Sequence, residues 1–183
     1  MEKADRDQLQ HSLTESRALL LEAVNGLIGE QRTFRPAEDR WSVADCVEHL
    51  TVVEQFVLQR IQKALDERPA QLAETLGKDQ EIRDRVPRRD ERVMAPEQAK
   101  PIGRWPDCEE SLRQFEAARE RTLRFSAETQ ADLRSRAFPH PTLGPLDCCQ
   151  WLLFLAAHCE RHARQVEEVK SDPSFPRRLG ATA

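Results

Sequence analysis

Apolar residues along the chain recur at helical spacing in four stretches separated by proline- and glycine-marked breaks. In the first, Leu9, Leu13, Leu20, Val24 and Leu27 fall three, four or seven residues apart, which predicts a helix over 5–29 with Gly26 and Gly29 at its end. The second carries Val47, Leu50, Val53, Phe56, Val57 and Ile61. Ser42 precedes it, with Asp45 three residues on in the place usually held by Glu or Gln of a capping box, so the helix is predicted over 42–65. The third starts near Pro106-Asp107 and runs through Leu112, Phe115, Arg119, Thr122 and Leu123 to about 129. The fourth is capped by Asp147 and runs to Lys170, with Pro173 and Pro176 beyond it.

Between the second and third helices lie some 40 residues with Pro69, Pro87, Pro96 and Pro101 and arginines interleaved with acids. A short helix is predicted near 71–84, and the rest reads as a connection running over the surface. A connection this long in a compact domain is uncommon. It frees the second and third helices from being simple antiparallel neighbours. Pro139-His140-Pro141 and Gly144-Pro145 predict a rigid loop before the last helix. The fold class is therefore all-α, a four-helix bundle with a long connection between helices 2 and 3.

Composition supports this. The 183 residues suffice for about one domain, and only six are glycine, which argues against a turn-rich β sandwich or barrel. A net charge of −4 offers no electrostatic basis for binding nucleic acid. The arginine-rich stretch 83–92 is interrupted by Asp84, Asp90 and Glu91 and has no aromatic residue among its charges. The longest apolar run, Trp151–Ala157, falls far short of the ~20 residues that span a membrane. An N-terminus without a signal-like apolar stretch and five cysteines, an odd number, lead us to expect a cytoplasmic protein without a disulfide framework.

Candidate chemistry lies in the histidines. His158 and His162 are one turn apart on the last helix. At about 100° per residue they fall within about 20° of the line through Trp151, on the apolar stripe, so both point into the bundle. His49 shares its face of the second helix with Cys46, Val53 and Phe56 and also points inward. Three inward imidazoles on two helices can meet at one point, a three-nitrogen set with coordination positions to spare. His11 lies on no clear apolar face and His140 sits in the proline-flanked loop, so neither is expected to be a ligand.

The segment Arg40-Trp41-Ser42-Val43-Ala44-Asp45-Cys46-Val47-Glu48-His49-Leu50 resembles the second-helix signature of the DinB-like (YfiT-like) family. The segment His140-Pro141-Thr142-Leu143-Gly144-Pro145-Leu146, followed by Trp151, His158, His162 and Gln165, resembles its last-helix signature in order and spacing. The resemblance implies a single bundle domain over 1–170, with 171–183 a C-terminal tail, and one divalent metal on three histidines. Residue by residue, those are His49, His158 and His162. It also implies homodimers. Members of the family include thiol-cofactor-dependent transferases and a mycothiol-dependent maleylpyruvate isomerase, and others are described as metal-dependent hydrolases.

The functional expectation is a metal-dependent enzyme acting on a small-molecule substrate, its metal activating water or a thiol, hence a hydrolase or thiol-group transferase. The alternative is a non-catalytic metal-binding or protein-interaction module. Three imidazoles suit zinc, nickel, iron or cobalt, and a low-molecular-weight thiol is the second cofactor to consider. No residue is assigned a catalytic role. Around the histidines, Gln165 shares their face, and Asp45 is expected to cap its helix rather than orient His49. Glu48 and Glu160 are expected to be solvated and Arg161 to make a surface ion pair. Cys46 and Cys159 read as small core residues, Trp41 and Trp151 as core anchors at helix starts.

Overall fold

The periodic stretches form helices that bury most of the apolar series just described; the exception is Phe56, read as sharing the inward face of His49, which the turn of the helix leaves 51% exposed. The computed structural model describes residues 3–67, 75 and 77–177. Its elements are α1 (Lys3–Val24), α2 (Gly29–Thr33), α3 (Val43–Asp66), α4 (Lys78–Arg85), a 3-10 turn (Glu97–Ala99), α5 (Cys108–Glu128), β1 (Ala137–His140), β2 (Gly144–Asp147) and α6 (Cys148–Lys170). The four long helices α1, α3, α5 and α6 are the predicted four. Residues 178–183, the end of the expected tail, and the first part of the helix predicted near 71–84 lie outside the described residues; α4 is its second half. No helix among the described residues is long and apolar enough to cross a membrane.

Local chemistry sets the helix starts. Ser42 Oγ accepts from Asp45 N–H at 3.1 Å while Asp45 Oδ2 accepts from Ser42 N–H at 2.8 Å, the reciprocal pair that the sequence predicts. Asp147 and Gln150 make the same pair at the start of α6. A Ser42→Ala chain should lose about 1 kcal/mol of stability, read as a lower urea midpoint with an unchanged m-value.

Contacts fix the directions of the helices. Arg6 reaches Ser126 and Arg17 reaches Glu116, so α1 and α5 are antiparallel. Cys159 donates to the Ser16 carbonyl and Lys170 to that of Ala23, so α1 and α6 are parallel. Thr51 meets Ser111 and Glu54 meets Arg119, so α3 and α5 are parallel as well. Each of α1 and α3 packs against both α5 and α6, which places α1 and α3 on one diagonal of the bundle. Parallel neighbours need a chain that travels back along the bundle, roughly 36 Å for a 24-residue helix such as α3. That requirement accounts for the long connection between α3 and α5.

The connection does not simply run over the surface. Ile82 of α4 is fully buried against α6, and Arg161 of α6 donates to the Glu91 carbonyl at 2.6 Å. The predicted rigid loop before α6 is also more regular than expected. It is a two-stranded antiparallel ribbon pairing Ala137 with Asp147 and His140 with Gly144. Its prolines, which spoke against a strand, are tolerated because a two-stranded ribbon is all edge. The ribbon packs through Phe138, stacked on Trp151 at 4.6 Å between centroids. Gly144 has φ +69° and sits against Lys78, whose Nζ bonds the Leu143 and Pro145 carbonyls.

Two apolar clusters fill the bundle, one around Leu13, Ile61, Leu152 and Leu155, the other around Leu20, Val47, Phe115 and Val166. At their junction lies a buried ion pair, Glu54–Arg119, with side chains 2% and 0% exposed. Arg119 Nε and Nη2 donate to the two Glu54 oxygens at 2.8 and 2.9 Å. Its remaining N–H groups go to the Leu13 and Leu155 carbonyls and to Ser16 Oγ. All five guanidinium donors are thus used.

Candidate metal centre

Near its N-terminus α3 presents His49, and the middle of α6 presents His158 and His162, toward the same interior point. His49 Nε2 lies 3.2 Å from His158 Nε2, and His162 Nε2 lies 3.1 Å from the same atom. One ring nitrogen from each residue falls within 4.8 Å of the others. His49 and His162 are 4% and 5% exposed. The helical-face argument therefore brings together the three histidines it selected. It also separates them from the other two. His11 is exposed beside Glu15, and His140 accepts at Nδ1 from the Thr142 and Leu143 amides in the ribbon, its ring against Trp151 and Phe154.

Aromatic rings wall the cluster. Trp41 packs on His49 at 4.8 Å and stacks on His162 at 5.8 Å, so it lines the centre as well as anchoring the start of α3. Phe154 stacks on His158 at 5.0 Å. This dry setting disfavours charged imidazoles. Burial pulls His49 down to about 4, aided by the Arg104 charge and opposed by its bond to Ala99. Burial, and then the charge each would impose on the others, hold His158 and His162 well below the usual histidine value. All three are neutral bases at neutral pH.

Three neutral rings cannot satisfy one another here. His49 Nδ1 lies 2.7 Å from the Ala99 carbonyl, which can only accept, so the ring proton is on Nδ1 and Nε2 carries a lone pair. Among the described residues, the Nδ1 atoms of His158 and His162 are buried with no partner. Protons on their Nε2 atoms would face each other at 3.1 Å. Moving one to Nδ1 buries an unpaired donor at a cost of about 1–3 kcal/mol. A cation among the three Nε2 atoms meets three lone pairs at once. Structural zinc binding, at about 10–16 kcal/mol in small domains, is large enough to outweigh both unpaired Nδ1–H groups. The donor set thus fits a divalent ion that accepts imidazole nitrogen.

The neighbouring residues divide. Asp45 caps α3, as expected, and also pairs with Arg35, while the Ala99 carbonyl takes the place beside His49. Gln165 is buried on α6, one turn past His162. Cys46 and Cys159 are core residues whose thiols burial pushes up, Cys159 to about 11. Glu160 pairs with Arg164 along the helix. Two expectations are corrected. Arg161, expected in a surface ion pair, is instead buried and bound to a backbone carbonyl, with no ion pair among the described residues. Glu48 is not solvated but 5% exposed, gripping residues 102–104 of the connection. The approach of Ala99 to His49 had no sequence signal, because any residue supplies a carbonyl.

Four long helices with three imidazoles from two of them converging inside define a helical bundle with a three-histidine centre. The chain belongs to the DinB superfamily, whose family model matches residues 12–166. It is similar to the YuaE protein of Bacillus subtilis, 23% identical over 155 residues that cover 80% of this chain and 88% of that protein. Its fold is similar to that of YfiT from Bacillus subtilis, described as a probable metal-dependent hydrolase with an unusual four-helix bundle topology. That likeness has a TM-score of 0.61 at 20% identity, over 93% of this chain and 88% of the other.

Proposed function

We propose that His49, His158 and His162 hold one divalent metal ion and that the chain is a metal-dependent enzyme acting on a small molecule. The observation that carries this reading is the convergence of three Nε2 atoms in a site where, among the described residues, every arrangement of protons leaves a buried ring nitrogen unpaired. Bound there, a metal keeps its full charge on three neutral ligands and acidifies a water or a thiol, the chemistry of a hydrolase or thiol-group transferase. The chain's own contribution is orientation and dryness. Ala99 fixes the tautomer of His49, and Trp41 and Phe154 shield the imidazole faces. The printed description of YfiT as a metal-dependent hydrolase agrees with this reading. So does the contact of the long connection with the centre through Ala99, which a bundle serving only as a partner-binding module does not need.

The test is elemental analysis of untagged protein after incubation with zinc, nickel, iron or cobalt. We expect about one equivalent of metal in the wild type and its loss in both His49→Ala and His158→Ala. Wild-type protein that takes up none of the four metals would sink the proposal. Size-exclusion chromatography with light scattering on the same samples tests the homodimer that the family resemblance implies.

A further inference from the structure

Glu48, the residue before His49, projects from α3 into the long connection. Its Oε1 accepts from Ile102 N–H at 2.8 Å and its Oε2 from Gly103 N–H at 3.0 Å and Arg104 N–H at 3.2 Å. The Arg104 guanidinium adds a bond at 2.6 Å. Three successive amides can converge on one carboxylate because Gly103 is left-handed, at φ +74°, which turns the backbone into an anion-binding concavity. With four bonds to its two oxygens the carboxylate is saturated.

The same strap delivers the Ala99 carbonyl to His49 Nδ1 at 2.7 Å. Arg104 ties the two ends of this link together. While bound to Glu48, its guanidinium donates to the carbonyls of Gln98 at 3.2 Å and Lys100 at 2.7 Å, on either side of Ala99. Adjacent residues of α3 therefore grip one strap at two points, a carboxylate at 102–104 and an imidazole at 99.

We propose that Glu48 is a positioning residue for the three-histidine centre: its carboxylate, through Arg104 and the 102–104 amides, holds the Ala99 carbonyl on His49 Nδ1, so that the His49 lone pair stays on Nε2, toward His158 and His162. The part of this proposal that concerns metal affinity rests on the metal reading above; the part that concerns the His49 tautomer does not. Groups that orient a ligand in this way are typically worth ~10–100-fold in metal affinity.

The experiment uses the full chain with histidine 15N labels. In metal-free wild type, long-range 15N–1H spectra should show His49 in the Nδ1–H form alone. Glu48→Gln, which loses the charge and half the acceptor capacity, should give a mixture of tautomers and a zinc Kd weakened about 10–100-fold. Arg104→Ala, which leaves Glu48 and all three amide bonds in place, should shift both readouts the same way by less, and it keeps the test open if Glu48→Gln folds poorly. A wild-type His49 protonated at Nε2 overturns the proposal. So do variants that melt at lower temperature while keeping the wild-type tautomer and zinc Kd, because that pattern is a purely structural role. If wild type takes up no zinc but the tautomer follows Glu48, the metal reading falls and the positioning role stands.

Discussion

Glu54→Ala is expected to destabilise the bundle by about 3–5 kcal/mol, a large part of the roughly 5–15 kcal/mol that holds a domain of this kind together. The substitution leaves the Arg119 guanidinium fully buried with two donors unpaired and no counter-charge. The loss exceeds that of trimming a methylene from the core because a charge stripped of its partner in low dielectric keeps its full desolvation penalty. The pair itself need not be stabilising. A chain carrying Glu54→Leu and Arg119→Met together should recover most of the loss, since the Leu13 and Leu155 carbonyls lie within helices and Ser16 Oγ also bonds the Leu13 carbonyl. Urea titrations of the two single variants and the double variant measure the coupling directly. A loss below ~1 kcal/mol in Glu54→Ala would show that water reaches the pair and that the junction between the two apolar clusters opens readily.

Acid should unfold the metal-free protein early. Each imidazole of the centre has a folded-state pKa below that of the unfolded chain, near 6.5, so the unfolded state binds more protons as pH falls. The stability these neutral rings contribute is complete above about pH 6.5 and is lost as pH drops through the window down to about 4, where His49 itself titrates in the folded state. His49 alone accounts for on the order of 3 kcal/mol across that window, and His158 and His162 act in the same direction. His140, drawn down to about 4 by burial and by Lys78, adds to the trend from the ribbon. The measurement is a series of urea midpoints from pH 7.5 to 4.5 in the presence of a chelator. His158→Met, which removes one buried base, should flatten the curve. A midpoint independent of pH over this range would mean that the rings are solvated. Zinc at 100 times its Kd should then raise stability by about 2.7 kcal/mol at neutral pH and by less in acid, where protons compete for the same lone pairs.

Much of this molecule is legible along the chain because helices are local. The stripe Val47, Leu50, Val57 and Ile61 marks the buried face of α3, and Ser42 with Asp45 marks its first turn from four adjacent residues. The same angular arithmetic places His49, His158 and His162 inward. A charged residue on such a stripe was a readable signal too. Glu54 stands four residues after Leu50 and three before Val57, and Arg119 stands four after Phe115. The chain announces two buried charges there without saying that they meet. The ribbon at 137–147 is obscured by its prolines, which weaken the strand pattern without forbidding a two-stranded edge.

Residue identity and spacing along the chain, then, are enough for the four helices, their caps, their buried faces and the three histidines, because each depends on residues within a turn or two of one another. Which helices are neighbours, that α3 and α5 run parallel, that Arg119 finds Glu54, and that Glu48 and Ala99 bind the long connection to the centre depend on contacts between residues 50 to 147 positions apart. Such contacts follow from the packing of whole helices, where burial decides which polar groups must find partners, and no local pattern encodes them.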